Sequence, residues 1–541
     1  MTAPHDGATT GGPADAPAPQ TPKATGLLAV LLAMAMFVLV VDTSLMNVSI
    51  SAVVEDLGTT VSGVQSAIAL EALVSAAFIL IGGKIGDLWG RKRAYVLGLL
   101  GYAVGAVAMT LAQNLIAIVV FWAVIGGLGA SLLLPAMQSL VHGNFDGAAR
   151  TRVYALVGAA AAIAAAIGPL LGGFITTFLS WRIGFLLEAV IIAVVLSGIR
   201  LVRDVPFTGS RQVDGVGSAL SVIGMGGIVL GILVWQEGGG YVGALLVLGV
   251  AGMAALVQWL RRRKRAGRPT LLDPELFASP WFRLGVSQQL LQQIALGGTM
   301  IVLPIYLQMV LEYDALQAGL SIAPLSLSMF GVALLAGRLA AGRRPSAVVR
   351  WGFAALAAGL LLLVPVVPRA DSGWWLLVPL LIAGSGLGLL VSQLNNYTLG
   401  PVSDERVSEA AGVNSAAGSF GLSFGLAFAG AIMLATLSLT FTNRTEDSDV
   451  LSAPEQQRVA EVLETDAQLM STTGLEELLA GQPDATSDEI VRINTESRPL
   501  ALQVALLVPV LAALLGLGNA FRMGRLPEPT PSNSAEGLAL G

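Results

Sequence analysis

Residues 83–93 read GKIGDLWGRKR, a polar, glycine-rich stretch between two apolar runs at residues 61–82 and 94–113. Each run is long enough to cross a bilayer, because a spanning helix needs about 20 apolar residues. The stretch ends in Arg91, Lys92 and Arg93, and basic loops between spans favour the cytoplasmic side. We therefore predict a cytoplasmic hairpin between two membrane helices, in which Asp87 accepts hydrogen bonds or pairs with a neighbouring arginine.

The composition places the whole chain in the membrane. Of 541 residues, 55% are hydrophobic and only 12% are charged, and 64 are glycine. A soluble protein of this length could not cover so much apolar surface, so we predict an all-α polytopic membrane protein. The chain has no cysteine and only two histidines, His5 and His142, both outside the predicted spans. These counts argue against a membrane enzyme and leave no thiolate metal site.

Fourteen apolar runs follow one another, from residues 26–51 to residues 500–521. They predict two six-helix bundles with two extra helices inserted between them. The expected organisation is a disordered cytoplasmic tail, an N-terminal bundle, the inserted helix pair, a basic cytoplasmic loop, a C-terminal bundle and a second disordered cytoplasmic tail, at residues 1–25, 26–201, 215–260, 261–281, 282–521 and 522–541.

The distribution of basic residues tests this count. With fourteen spans and both termini on one side, 24 of the 30 lysines and arginines fall on that side. The side with excess positive charge is the cytoplasmic one. We therefore predict a multi-pass protein of the cell membrane with both termini in the cytoplasm and no leading signal peptide.

One long hydrophilic segment, residues 440–498, lies between the last two spans and is predicted to be extracellular. It holds 13 acidic residues and 4 arginines. We expect a solvated acidic loop resting on the outer rim, with short amphipathic helices at residues 456–470 and 475–480. The alternative is that this acidic segment forms an entrance whose negative charge attracts cations.

Three carboxylates lie inside predicted spans, at Asp42, Glu71 and Glu188. Charge in the hydrocarbon layer is costly, so such groups are functional candidates. No lysine or arginine accompanies them in these spans, which suits proton uptake or a cationic substrate. We favour Glu71, about ten residues into its helix and so near the bilayer midplane, as the coupling group. The alternative is that each carboxylate is held by hydrogen bonds to its neighbours.

The motifs resemble a known family. Gly83, Asp87, Gly90 and Arg91 fit the signature between helices two and three of the major facilitator superfamily. Residues 41–48, VDTSLMNV, resemble the D-x-T-x-x-N-V motif of its fourteen-helix drug:proton antiporter branch. Span five carries that branch's hinge motif, formed here by Gly168, Pro169, Gly172 and Gly173.

The chain departs from the branch at several positions. In the first span, Ser44 replaces threonine and Ser51 replaces the usual proline. Ala123 stands where many relatives have an arginine linked to proton transfer, Glu188 where many have asparagine, and Glu71 where many have tyrosine. The resemblance therefore implies a subgroup that moves its proton through Glu71 or Glu188.

Polar and aromatic residues of several spans are candidates for lining a substrate cavity. They are Asn47, Trp122, Gln289, Gln293, Gln393 and Asn396. The alternative is that these side chains hydrogen-bond between helices, at about 0.6 kcal/mol each.

The resemblance implies alternating access, with two halves rocking about a site at the midplane. The expected function is proton-coupled export of small hydrophobic, cationic compounds, as in multidrug efflux. It needs no cofactor beyond a proton gradient, no metal and no nucleic acid; its partners are substrate, protons and the lipid bilayer. Two alternatives remain, namely export of a dedicated lipid or natural product, and a non-transporting receptor. Oligomeric state stays open.

Overall fold

The computed structural model describes residues 22–145, 147–204, 214–236, 239–339, 343–403, 406–452, 454, 456 and 472–527. It contains fourteen helices long and apolar enough to cross a membrane, as the sequence predicts. They are α1 (Pro22–Val48), α2 (Val61–Trp89), α3 (Arg91–Leu111), α4 (Leu115–Asn144), α5 (Gly147–Phe178), α6 (Trp181–Ser197), α7 (Gly215–Gln236), α8 (Val242–Arg265), α9 (Pro280–Val310), α10 (Ala315–Leu339), α11 (Pro345–Val366), α12 (Gly373–Leu399), α13 (Val407–Glu446) and α14 (Asp484–Met523). The predicted tails fall largely outside the described residues.

Helices α1–α6 and α9–α14 form two bundles that meet along two seams. Helix α2 packs against α13, and α5 packs against α10. We call the end of the molecule that carries residues 83–93 the basic end, and the opposite end, which carries residues 440–498, the acidic end. The inserted helix α7 contacts both α2 and α13, so it touches both halves.

Glycine sets the distance between many of these helices. In the inserted pair, a Cβ on Gly227 would lie 2.7 Å from Gly249 Cα of α8. In the N-terminal bundle, a Cβ on Gly98 of α3 would lie 2.9 Å from Gly129 O of α4. Membrane helices associate through such close packing because lipid provides no hydrophobic drive between them. The high glycine content is therefore used in helix contacts.

The motif at residues 83–93 is more helical than the sequence predicts. Helix α2 continues through Trp89, and only Gly90, with φ at 100°, separates it from α3. The prediction of a hairpin loop starting at Gly83 is therefore wrong. A helix satisfies its own backbone hydrogen bonds, so α2 carries its polar end out of the apolar layer without unwinding.

Much of the acidic segment is also folded. Helix α13 extends to Glu446, α14 begins at Asp484, and a short helix spans Thr472–Leu478. These pieces share a small apolar core of Phe441, Leu451, Leu475, Ile490 and Ile493. The prediction of a solvated loop is wrong for these residues, because apolar side chains from separate pieces of the segment bury one another. Residues 457–470 lie outside the described residues. We call the described part, residues 441–452 and 472–498, the cap.

The cap is tied to the end of α9. Arg498 is buried, and its Nη1 donates to Met309 O (3.4 Å) and Thr472 Oγ1 (3.1 Å). Next to it, the backbone N–H (3.1 Å) and Oγ1 (2.8 Å) of Thr473 donate to the Glu312 carboxylate. Burial raises the pKa of Glu312, but these hydrogen bonds outweigh it and hold that pKa below its usual range. These hydrogen bonds join the cap to the acidic end of α9.

The predicted basic loop at residues 261–281 is short in the structure. Helix α8 runs to Arg265, a 3-10 turn covers Pro274–Ala278, and α9 begins at Pro280. Asp214, at the start of the inserted pair, accepts from Trp259 Nε1 (2.9 Å) and from Leu271 N (3.3 Å). This buried carboxylate fixes the inserted pair to the segment that leads into the second bundle.

Candidate functional site

The turn between α2 and α3 is held by a residue that the motif does not contain. Asp204, after α6, accepts from the backbone N–H of Lys92 (3.0 Å), and Lys92 Nζ donates to Val202 O (2.7 Å). A Cβ on Gly90 would lie 2.7 Å from Asp204 Oδ2. A Cβ on Gly83 would lie 3.7 Å from Pro135 Cβ of α4, an ordinary van der Waals distance. The side chain of Asp87 lies outside the described part of the chain, so its pairing with an arginine stays a prediction.

Gly90→Ala is expected to lower the free energy of unfolding by about 1–3 kcal/mol, because alanine at a positive φ is strained. Its Cβ would also press on the Asp204 carboxylate. Thermal unfolding of the purified protein in detergent measures this loss. Gly86→Ala is the matched control: its Cβ would lie 3.4 Å from Ala94 Cβ inside a helix, where alanine is favoured. Equal melting temperatures for both variants would contradict the role given to Gly90.

The hinge motif of α5 packs on both α1 of its own bundle and α10 of the other half. A Cβ on Gly168 would lie 2.6 Å from Ser44 Cβ, and one on Gly172 would lie 2.9 Å from Leu45 Cα, both in α1. Gly173 faces the other half, where its Cβ would lie 2.5 Å from Ala315 O of α10. A Cβ on Gly319 of α10 would in turn overlap the backbone oxygen of Pro169. The motif thus provides the contact that closes α5 onto α10.

Further contacts between the halves are found at the acidic end. Gln308 of α9 accepts through Oε1 from the backbone N–H (3.0 Å) and hydroxyl (2.7 Å) of Ser51. The backbone N–H of Leu316 donates to Thr177 Oγ1 (3.0 Å). Gln308 lies in a π-helical stretch, Tyr306–Val310, a deviation that often marks functional positions. The acidic end is therefore closed in this structure.

Asp42 is the centre of a buried polar cluster within the N-terminal bundle. Its side chain is fully buried, and it accepts from Trp122 Nε1 (3.0 Å) and from the Tyr102 hydroxyl. Trp122 lies in a π-helical stretch of α4, Ile118–Gly126, and packs edge-on against Phe185 of α6. Three helices thus converge on one carboxylate. The indole and the phenol both donate to this buried carboxylate.

Glu188 of α6 joins this cluster, and Glu71 lies near it. The Glu188 carboxyl adjoins that of Asp42 and is 2% exposed. Among the described residues, no N–H group and no hydroxyl donates to either of its oxygens. Glu71 is 9% exposed and close enough to Asp42 for their charges to interact. Its helix α2 packs tightly on α4, where a Cβ on Gly127 would lie 2.9 Å from Glu71 O. The structure therefore brings the three predicted carboxylates together.

Two of the predicted cavity residues are buried in this structure. Trp122 is buried on Asp42 inside the N-terminal bundle, and its contact with substrate stays a prediction. Asn47 is buried at the closed acidic end, where its Nδ2 donates to Thr43 O (2.8 Å) and its backbone carbonyl accepts from Gln308 Nε2 (3.5 Å). The indole N–H of Trp122 and the amide N–H of Asn47 are thus satisfied inside the protein, which avoids the cost of an unpaired donor in an apolar interior.

The four glutamines of α9 point in two directions. Gln288 Nε2 donates to Gly516 O of α14 (2.9 Å), so this side chain points toward α14. Gln289 Nε2 lies 3.1 Å, and Gln293 Cβ 3.2 Å, from where Cβ atoms on Gly418 and Gly421 of α13 would stand. The side chains of Gln289 and Gln293 are half-buried, as are those of Gln393 and Asn396 in α12. Their contact with substrate stays a prediction.

One set of residues was missed by the sequence reasoning. Phe420, Phe424 and Phe428 follow each other at four-residue spacing in α13, with ring centroids 6.3 Å and 5.3 Å apart. We call them the phenylalanine stripe. The spacing was visible in the sequence, but regular phenylalanines are common on lipid-facing helices, so the spacing alone carried no signal.

Two bundles that meet at a closed end, with ionisable groups buried in one of them, define a polytopic membrane transporter. Residues 32–426 match the Major Facilitator Superfamily, and the chain belongs to that family. The chain is therefore a multi-pass membrane protein of a transporter family. Among the described residues, no group of histidines and carboxylates is placed to hold a metal ion.

Three similar proteins carry names that refer to transport, drug efflux or drug resistance. The chain is 28% identical to a probable actinorhodin transporter of Streptomyces coelicolor over 82% of this chain and 78% of that one. It is 30% identical to the drug efflux pump JefA of Mycobacterium tuberculosis, covering 76% and 81%. It is 28% identical to the puromycin resistance protein pur8 of Streptomyces alboniger, covering 74% and 80%. The predicted resemblance to the drug-efflux branch is thus confirmed.

Solved structures support the fold. An auto-inhibited peptide transporter of the POT family superposes with a TM-score of 0.58 at 14% identity, covering 95% of this chain and 99% of that one. At this identity the likeness concerns the arrangement of helices alone. It supports the two-bundle architecture on which the closed acidic end depends.

Proposed function

We propose that the protein exports small hydrophobic compounds, including cationic ones, in exchange for protons, by alternating access between its two halves. The observation that carries the proposal is the buried Asp42–Glu188 pair with Glu71 nearby, in a chain whose relatives are efflux pumps. No enzymatic step and no cofactor is part of this function. The energy source is the proton gradient.

The contacts between the halves support alternating access. At the acidic end, the seams are made by glycine packing and by a few hydrogen bonds such as that of Leu316 to Thr177. Contacts of this kind can separate as units, because each helix keeps its own backbone hydrogen bonds. The excess of positive charge at the basic end favours a cytoplasmic position for that end and for both termini. The structure then corresponds to a state closed toward the outside.

The carboxylates supply the coupling. Two adjoining carboxyls in a dry interior repel each other when both are ionised, so the Asp42–Glu188 pair holds a proton. Asp42 accepts hydrogen bonds from two side chains, Tyr102 and Trp122, which stabilise its charge. No N–H group or hydroxyl of the described residues donates to Glu188. We therefore assign the proton to Glu188 in this state. Glu71, which is buried near this pair, is the group through which proton and substrate compete.

Glu71→Gln is expected to abolish pH-driven export of cationic substrate, because the amide keeps the size of the side chain but carries no charge. The assay uses proteoliposomes with an imposed pH gradient and, in detergent, proton release on substrate addition. Wild type is the reference, and Glu55→Gln, which makes the same change at an exposed carboxylate, is the matched control. Normal export by Glu71→Gln, with loss in Glu188→Gln or Asp42→Asn, would move the coupling role to that pair. Normal export by all three would refute coupling in this half.

A second candidate is export of one dedicated natural product. It is favoured by relatives whose names specify a compound, such as the actinorhodin transporter and the puromycin resistance protein. A transport panel that contains both polycyclic antibiotics and unrelated cationic dyes separates the candidates. Transport of a single chemical class supports dedicated export, and transport across classes supports multidrug efflux.

A further inference from the structure

The second inserted helix, α8, is the least buried of the fourteen spans. It packs on α7 through one face, which contains the buried residues Gly249, Gly252 and Leu256. The side away from α7 carries exposed apolar residues, among them Val247 and Ala254. In a membrane this side of α8 lies against lipid tails.

The length of the apolar part of α8 sets the depth of its last turn. Residues 242–260 contain no charged side chain. At 1.5 Å per residue they span about 28 Å, which is close to the thickness of the hydrocarbon layer. Arg261 is the next residue, so it lies at the level of the lipid headgroups.

Six cations follow within residues 261–268, and the structure divides them into two sets. Two are half-buried on protein carboxylates. Arg263 Nε lies 3.7 Å from Asp214 Oδ1, and Lys264 Nζ donates to Asp273 Oδ2 (2.8 Å). The other four are exposed and form no ion pair with the described residues; they are Arg261, Arg262, Arg265 and Arg268.

Two of the exposed arginines continue the lipid-facing side of α8. At about 100° per residue, Arg261 lies within about 40° of Val247 and Ala254 around the helix axis. Arg265 follows one turn later on the same side. Each guanidinium group can hold two phosphate oxygens through its fork of N–H donors. A phosphate at this level therefore meets two arginines, with an apolar helix face below them.

The protein itself does not balance this charge. Helix α8 contains no acidic residue. The dipole at the end of a helix corresponds to about half a negative charge, too little to offset four arginines. Like charges one turn apart on a helix also repel each other. Clusters of four to eight basic residues beside a membrane span are attracted to anionic lipid, which supplies the missing charge.

We propose that Arg261 and Arg265 bind the phosphate of an anionic phospholipid whose acyl chains lie along Val247 and Ala254. This site goes beyond the proposed export function and does not depend on it. The lipid contacts the inserted pair, which touches both halves through α7.

Native mass spectrometry of the full-length protein in detergent resolves each bound lipid and measures its Kd. Phosphatidylglycerol is the anionic probe, and phosphatidylcholine is the zwitterionic one. Arg261→Gln/Arg265→Gln is expected to raise the Kd of the first phosphatidylglycerol at least about tenfold, because each arginine near an anionic lipid contributes about fivefold. The Kd of phosphatidylcholine should stay within about twofold of the wild-type value, since this lipid carries no net charge.

Arg522→Gln/Arg525→Gln is the matched control, because it removes two exposed arginines around the end of α14, at the same end of the molecule. It should keep the Kd of the first phosphatidylglycerol within about threefold of wild type. Equal losses in the two double variants would show a general attraction by charge and overturn the site at α8. Unchanged binding by Arg261→Gln/Arg265→Gln, or equal binding of the two lipids by wild type, would overturn it as well.

Thermal unfolding in detergent separates a lipid site from a site for free phosphate. Phosphatidylglycerol should raise the Tm of wild type, because a ligand of the native state stabilises that state. Inorganic phosphate at the same concentration should leave the Tm unchanged, since it has no acyl chains to pack on the apolar face. An equal rise with phosphate alone would refute the assignment to a lipid.

Discussion

Gly319→Ala is expected to shift the protein out of the state closed at the acidic end and to reduce export at least about tenfold. The added Cβ would overlap Pro169 O of the opposite half. A backbone atom cannot rotate away, so the seam between α5 and α10 must open. Overpacking of this kind costs about 1–3 kcal/mol, which moves a two-state equilibrium by about 5- to 150-fold.

The measurement uses the absence of cysteine in the chain. Pairs of spin labels at Leu179 and Leu320 report the acidic end, and pairs at Arg152 and Leu335 report the basic end. All four side chains are exposed. Gly319→Ala should lengthen the distance between the halves at the acidic end. Gly173→Ala, whose Cβ would meet Ala315 O at 2.5 Å, should act in the same direction from the other side of the seam.

Gly331→Ala is the matched control for the same helix. Nothing lies within 4 Å of a Cβ built at Gly331, so this variant should transport and give distances like wild type. If Gly319→Ala keeps the wild-type distance at the acidic end, the seam is not a barrier to opening and the gating role of the hinge motif is wrong.

The number of helices could be predicted from the sequence because apolar length and the placement of positive charge are both local properties. Residues 83–93 were likewise recognisable as a link between two spans. Their extent was misjudged, since a polar sequence does not reveal that α2 stays helical to Trp89. The cap was missed for a related reason. Its charges dominate the composition, whereas its core depends on five apolar side chains far apart in the chain.

The site was harder to predict, because in a membrane protein an apolar face meets lipid as well as protein. Hydropathy therefore gives no direction for a side chain such as Trp122 or Phe424. Asp204 clamps a turn 112 residues earlier in the chain, and no local pattern signals that partner. The three carboxylates could be selected because their cost in the bilayer is independent of direction. Their convergence depends on the packing of α1, α2 and α6.

The second large effect concerns the pair formed by Asp42 and Glu188. Asp42→Asn and Glu188→Gln are each expected to reduce pH-driven export at least about tenfold, because either change leaves a site that cannot exchange the shared proton. Asp42→Asn also replaces a carboxylate oxygen, which accepts from Trp122, by an NH2 group that cannot accept. It should therefore lower thermal stability more than Glu188→Gln, whose amide N–H can still donate to Asp42 as the protonated carboxyl does.

A double-mutant cycle separates proton sharing from two independent roles. If the two carboxyls act on one proton, the double variant Asp42→Asn/Glu188→Gln should export no worse than the weaker single variant, since the same step is already lost. Proton release on substrate addition should fall by the same amount in all three variants. Tyr102→Phe is the control for the hydrogen bond alone, because it removes a donor to Asp42 and keeps both carboxyls. Losses that add in the double variant would show that Asp42 and Glu188 act separately, and the shared proton would then be excluded.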